Sequence, residues 1–257
     1  VNRKSVHSGI SLIELMIVIG TMVILMAIAV PAVKGIIASF DNSAGARPLI
    51  NAALSAARSI AIREQTYAGV RFQEDADGNT YMIFIVHDLQ RTGLANGFCA
   101  VTGRNPMKLP DDTGVLQTFE AGQTDAEKDT LMSTASGLTG QSTFSIVFSP
   151  AGRMVVHPVR IRNMNGYHDG YASISDDTIF NIAVRVEAGR AMFYQDDYPA
   201  LGLEEEYSRR EFLIYDKKAF KLIFPTQRYS NFFKKVRTEH ISSYTGEIVT
   251  EYRENKQ

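Results

Sequence analysis

Residues 10–30, ISLIELMIVIGTMVILMAIAV, form a run of 21 residues with a single charge, Glu14. At about 1.5 Å rise per residue, a helix of that length spans roughly 31 Å, close to the hydrocarbon thickness of a bilayer. The preceding VNRKSVHSG carries Arg3, Lys4 and His7 and no acid. Basic flanks stay on the cytoplasmic side, so the chain is expected to run N-in, C-out. Val1 in place of Met points to an alternative start codon or a truncated record. Four readings compete: a plain membrane anchor, a secretory signal ending at Ala27-Ile28-Ala29, a buried core helix, and a leader cut before the apolar run. The run is too long for an ordinary core helix. It is also longer than a secretory apolar region of about 7–15 residues, which usually lacks an acid.

Glu14 decides among the rest. A carboxylate among lipid tails costs about 2.5–3.5 kcal/mol and needs a cation. Cutting between Gly9 and Ile10 would create one, the α-amine of Ile10. Ile10 and Glu14 are four residues apart and so share a helix face. A helix N-terminus also favours an anion, by roughly 0.3–1 kcal/mol. Gly9-Ile10-Ser11-Leu12-Ile13-Glu14-Leu15 resembles the type IV prepilin cleavage and methylation motif, commonly G-F-T-L-I-E-L; Ile10 and Ser11 are its mild departures. The resemblance implies that Gly9 precedes the cut and that Ile10 is the N-methylated first residue. It makes Glu14 the assembly glutamate. Pro31 stands where the family usually has proline. The implied partners are a prepilin peptidase, membrane lipid and other pilin or pseudopilin subunits.

After Pro31 the pattern stays helical. Leu49, Ala53, Ala57 and Ile60 form a stripe that Leu54 and Ala61 widen, with Arg58, Arg63 and Glu64 off it. Gly45 and Pro48 predict a kink or break within 41–48. Leu54–Phe72, with Ala57-Arg58-Ser59 and Ala61-Ile62, resembles the helix-to-strand passage of the GspH/FimT family of minor pseudopilins and pilins. Phe148-Ser149-Pro150-Ala151-Gly152 resembles that family's strand and turn.

The remainder reads as β-rich. Strands are expected at 67–72, 81–86, 144–148, 154–161, 179–186, 211–215, 219–224 and 247–252. The expected class is therefore α+β and pilin-like: a long N-terminal hydrophobic helix, transmembrane then amphipathic, packed on an antiparallel β-sheet head. The expected divisions are a leader (1–9), a transmembrane and filament-core helix (10–30), a stalk helix (31–66) and a head (67–257) with an insertion around 88–141.

Catalysis finds no support. Lys and Arg number 27 and Asp and Glu 28, a net charge of −1, so any nucleic-acid role must be local. A lone Cys99 excludes an internal disulfide and leaves no cysteine-based zinc site. His7, His87, His157, His168 and His240 show no metal-binding spacing and read as surface or turn histidines. Asp75-Ala76-Asp77-Gly78-Asn79 starts like a calcium loop but lacks the downstream acid, which favours a hairpin turn. No cofactor or metal is expected, and no enzyme.

One cluster, Arg228, Lys234, Lys235 and Arg237, interleaves with Tyr229, Phe232 and Phe233. It is a candidate nucleic-acid contact. The favoured alternative is a short amphipathic helix burying its aromatic side. The sequence thus points to a structural minor pseudopilin or pilin of a type II secretion or type IV pilus filament. The head is expected outside the inner membrane, in the periplasm or in the extracellular filament. The alternatives are a DNA-binding minor pilin of a competence pilus and a signal-cleaved periplasmic protein.

Overall fold

The computed structural model describes residues 16, 18–22, 45–161, 177–181, 186, 188–194 and 205–249. The chain divides into two compact units, Val1–Asp41 and Asn42–Gln257. In the first, residue 16 and residues 18–22 are helical, and the Thr21 hydroxyl donates to the Val18 carbonyl at 2.9 Å. Gly9, Ile10, Glu14 and Pro31 lie outside the described residues.

The second unit opens with helix α1, residues 45–64. Gly45 and Pro48, expected to interrupt a helix, stand at its described start. Ala46, Ile50, Ala53, Leu54, Ala57, Ile60 and Ala61 recur at helical spacing and are all buried. The helix stops at Gln65, whose φ of 53° is the left-handed conformation that ends many helices.

The elements after α1 are β1 (Ala68–Glu74), β2 (Thr80–His87), α2 (Leu89–Thr92), β3 (Gly97–Ala100), β4 (Met107–Lys108) and β5 (Thr113–Gln117). Two helices, α3 (Asp125–Ser133) and α4 (Ala135–Ser142), lead to β6 (Phe144–Phe148), β7 (Met154–Val155), β8 (Pro158–Ile161), β9 (Phe180–Asn181) and β10 (Phe193–Tyr194). The last are β11 (Glu206–Tyr207), β12 (Glu211–Asp216), α5 (Lys217–Lys221), a helical turn α6 (Arg228–Asn231) flanked by 3-10 turns, β13 (Thr238–Ile241) and β14 (Ile248–Val249).

The main sheet has eight strands in the order β11-β8-β3-β2-β1-β6-β7, with β4 also on β2. A second sheet runs β14-β13-β12-β5, and β9 and β10 form a two-stranded ribbon. Side chains alternate across the main sheet, because successive residues of a strand face opposite sides. Ala68, Val70 and Phe72 of β1 join Phe144, Ile146 and Phe148 of β6 in the cluster that receives α1. Ile83, Ile85 and Val147 face the other way, toward Phe180 and Phe193. The α1 cluster also takes Val115, Phe212, Ile214 and Ile241 from the second sheet, so α1 is packed by both sheets. The second sheet's far face holds Leu116, Leu213 and Tyr215 against Met132, Phe220 and Phe233.

These findings correct the expected fold class. Among the described residues, α1 is the longest helix; it is amphipathic, and no helix is long and apolar enough to cross a membrane. The sheets are not purely antiparallel either: β3 runs parallel to β8, and β9 to β10. The unit is a mixed α/β structure. Within residues 88–141, β3 and β4 belong to the main sheet and β5 to the second. The strand expected at 219–224 is replaced by α5, because the Asp216 carboxylate accepts from the Ala219 amide at 2.8 Å and starts a helix.

Candidate functional site

The expected basic cluster lies on the second sheet's far face, and α3 holds it there. Asp129 of α3 is buried and accepts from the Tyr229 amide (2.7 Å), the Ser230 amide (3.2 Å) and the Ser230 hydroxyl. A carboxylate with three donors caps this turn as Asp caps a helix. Arg228 donates to the Met132 carbonyl at 2.9 Å, and its guanidinium lies 4.6 Å from the Phe220 ring centre. Lys234 pairs with Asp125 at 2.7 Å, and the hydrogen bond it donates to that carboxylate raises its pKa.

Arg228 and Lys234 therefore have partners within the chain, and Lys234, Lys235 and Arg237 are all exposed at the surface. The aromatic residues turn inward. Phe233 is buried, and Tyr229, Phe232 and Val236 pack partly buried against the same cluster. Phe119 meets Tyr229 edge-on, with ring centres 4.8 Å apart at 75°. Lys128 of α3 lies 4.6 Å over the Tyr229 ring and donates to its hydroxyl at 3.2 Å.

These residues wall an open cleft of about 770 Å³, within the usual size range of binding pockets. Its floor is the uncovered end of the second sheet. Glu211 and His240 are register partners on β12 and β13, and the His240 Nδ1 lies 3.0 Å from the Glu211 carboxylate. Leu213 and Thr238 are also register partners there, with Leu213 buried and the Thr238 hydroxyl in the lining. Four cations, Lys128, Lys234, Lys235 and Arg237, stand along the walls. A shallower groove continues past Thr118, Glu211 and His240 to Val156, Tyr207, Arg209 and Arg210. Inspection of 228–237 alone finds half of this site. Phe119 and Lys128 reach it from about a hundred residues upstream, where nothing in their local sequence marks them.

Elsewhere the reactive side chains serve structure. Cys99 is buried on β3, opposite Val86, with Arg91 3.1 Å from its sulfur. The Asp75 carboxylate accepts from the amides of Asp77 (3.0 Å) and Asn79 (2.7 Å), as a turn-forming aspartate does. Among the described residues no three His, Cys, Asp or Glu side chains gather as metal ligands. His7 and His168 lie outside the described residues. No family model, curated protein or solved structure matches this chain.

Proposed function

We propose that the chain is a structural minor pseudopilin or pilin of a type II secretion or type IV pilus filament. A prepilin peptidase cuts its leader after Gly9. Residues 10–30 then cross the inner membrane once, with the N-terminus cytoplasmic and the head on the far side, until the same segment packs against neighbouring subunits in the fibre. One observation carries this reading: the only charge in a 21-residue apolar run, Glu14, stands four residues after the Gly9–Ile10 junction. An acid at that depth is costly when alone and tolerable beside a cation. Cleavage creates such a cation on Ile10 or on a neighbouring subunit's first residue.

Mass spectrometry of the protein isolated from its native cell tests the proposal. A mature chain that begins at Ile10 and carries an extra methyl group on its amine is the expected result. A start at Val30 would assign a secretory signal, and a chain that keeps residues 1–9 would exclude maturation by this route. Glu14→Ala should leave membrane insertion unchanged and lower incorporation into fibres about tenfold, the ratio produced by about 1.4 kcal/mol.

A further inference from the structure

The cleft on the second sheet has no part in membrane anchoring or leader cleavage, yet it is built like a binding site. Its cations come from two separate elements, α3 and the segment 228–237, and they line one depression of mixed polar and apolar character. Asp129 and the Met132 carbonyl fix the second element to the first. The cations are thus positioned by backbone anchoring and do not merely dot a surface.

The chemistry of the walls selects the ligand. Lys235 and Arg237 are exposed on one rim, and Lys128 is half-buried on the other side. Opposite charge is the complement of such walls. The apolar part of the lining asks for something else: partly exposed Phe119 and Val236 offer apolar contact, and Thr238 a hydroxyl. An anion with no apolar part would leave those side chains wet.

Single-stranded nucleic acid fits poorly. Binding of that kind uses aromatic faces open for base stacking. Here Phe119 is edge-on to Tyr229, Lys128 covers a Tyr229 face, and Phe233 is buried among Tyr215, Phe220 and Phe232.

An extended polypeptide that alternates acidic and apolar side chains meets both requirements. In an extended chain successive side chains point to opposite sides, so one set can reach the cations while the other lies against Phe119 and Val236. The shallower groove prolongs the path, with Arg209 and Arg210 beside exposed Val156 and Tyr207. We infer that this cleft binds an extended acidic–apolar segment of a partner polypeptide. The inference stands apart from the filament assignment and survives its failure.

The test uses the full chain in detergent and a fluorescein-labelled peptide alternating glutamate and valine. Fluorescence anisotropy should show saturable binding that weakens as salt screens the rim charges. The double variant Lys235→Glu/Arg237→Glu should weaken binding at least about tenfold, a change of about 1.4 kcal/mol. Lys221→Glu, an exposed cation of α5 outside the cleft, should leave binding unchanged. Circular dichroism checks that both variants keep the wild-type fold. Val236→Ser supplies a second readout, because loss of apolar contact should weaken the peptide without altering the salt dependence. Four results would overturn the inference: no binding, equal binding of a lysine–valine peptide, equal loss in Lys221→Glu, or tighter binding of an oligothymidylate than of the acidic peptide.

Discussion

His157 sits between β7 and β8 with its ring 4.0 Å from that of Tyr67 and 5.8 Å from that of Phe98. Its Nδ1 donates to the Pro158 carbonyl at 2.5 Å, which leaves Nε2 as the position that takes up a proton. Burial lowers its pKa from the ordinary 6.5, and nearby His87 adds to the effect; the Pro158 carbonyl and Glu205 act in the opposite sense. The folded state therefore favours the neutral ring more than the unfolded chain does. Between the lowered folded value and 6.5 the unfolded chain binds more protons, so stability rises with pH across that window. The contribution is complete above 6.5 and is lost as pH falls below it. Thermal unfolding followed from pH 7.5 downward should show Tm declining once pH passes below about 6.5, and His157→Gln should make the decline shallower. An unchanged slope in the variant would assign the acid sensitivity to other groups. The sequence leaves His157 looking like a surface histidine because its neighbours, Tyr67 and Phe98, come from elements distant along the chain.

Helix α1 presents a polar flank beside its apolar stripe. Arg47, Asn51 and Arg58 are spaced by four and seven residues and so lie along one side. Each reaches the second sheet or its turns. Arg47 pairs with buried Glu239 of β13, the Asn51 side-chain oxygen accepts from the Ile248 amide at 2.8 Å, and Arg58 donates to the Thr245 carbonyl at 3.0 Å. Arg58 also donates to the Gly152 carbonyl at 2.8 Å, in the turn between β6 and β7. Gly152 has a φ of +73°, so that turn needs the conformational freedom of glycine. Arg58 thus ties together two hairpin turns from different sheets. Arg58→Ala should lower unfolding free energy by about 2 kcal/mol, the scale of a charge-assisted hydrogen bond. Chemical denaturation gives the total, and hydrogen exchange should show faster opening in 149–153 and 242–246. A loss confined to α1 itself would contradict the clamp. Some of this was legible beforehand: the apolar stripe follows from 3.6-residue periodicity, and the 74–79 hairpin from its Asp and Gly. That α1 packs on a sheet was also expected; that a second sheet packs it as well was not, because strand pairing such as β12 with β5 is set by tertiary contact and leaves no local pattern. The binding cleft stayed hidden for the same reason, with Lys128 and Lys235 joined only through Asp129 and its hydrogen bonds.

In the whole molecule, α1 joins the two sheets through one buried cluster. Its apolar face touches β1, β2 and β6 on one side and β5, β12 and β13 on the other within a single buried cluster. Removing material from that cluster should weaken both sheets together, since among the described residues α1 is the helix that the cluster contains. Leu54 is fully buried in the cluster, so Leu54→Ala should cost about 3 kcal/mol, within the range of about 2–5 kcal/mol for such truncations. The compact unit Asn42–Gln257 contains α1 and both sheets and should unfold in one transition when produced without residues 1–41. Hydrogen exchange followed by mass spectrometry through a urea series can read β1 and β12 separately in the same sample. Equal midpoints for the two strands, moving down together in Leu54→Ala, are the expected outcome. Separate midpoints, or a shift confined to β1, would mean that each sheet is stable on its own and that α1 belongs to the main sheet alone. The polar clamps from Arg47, Asn51 and Arg58 argue against separation, because each bond they make to the second sheet must break before the sheets can part.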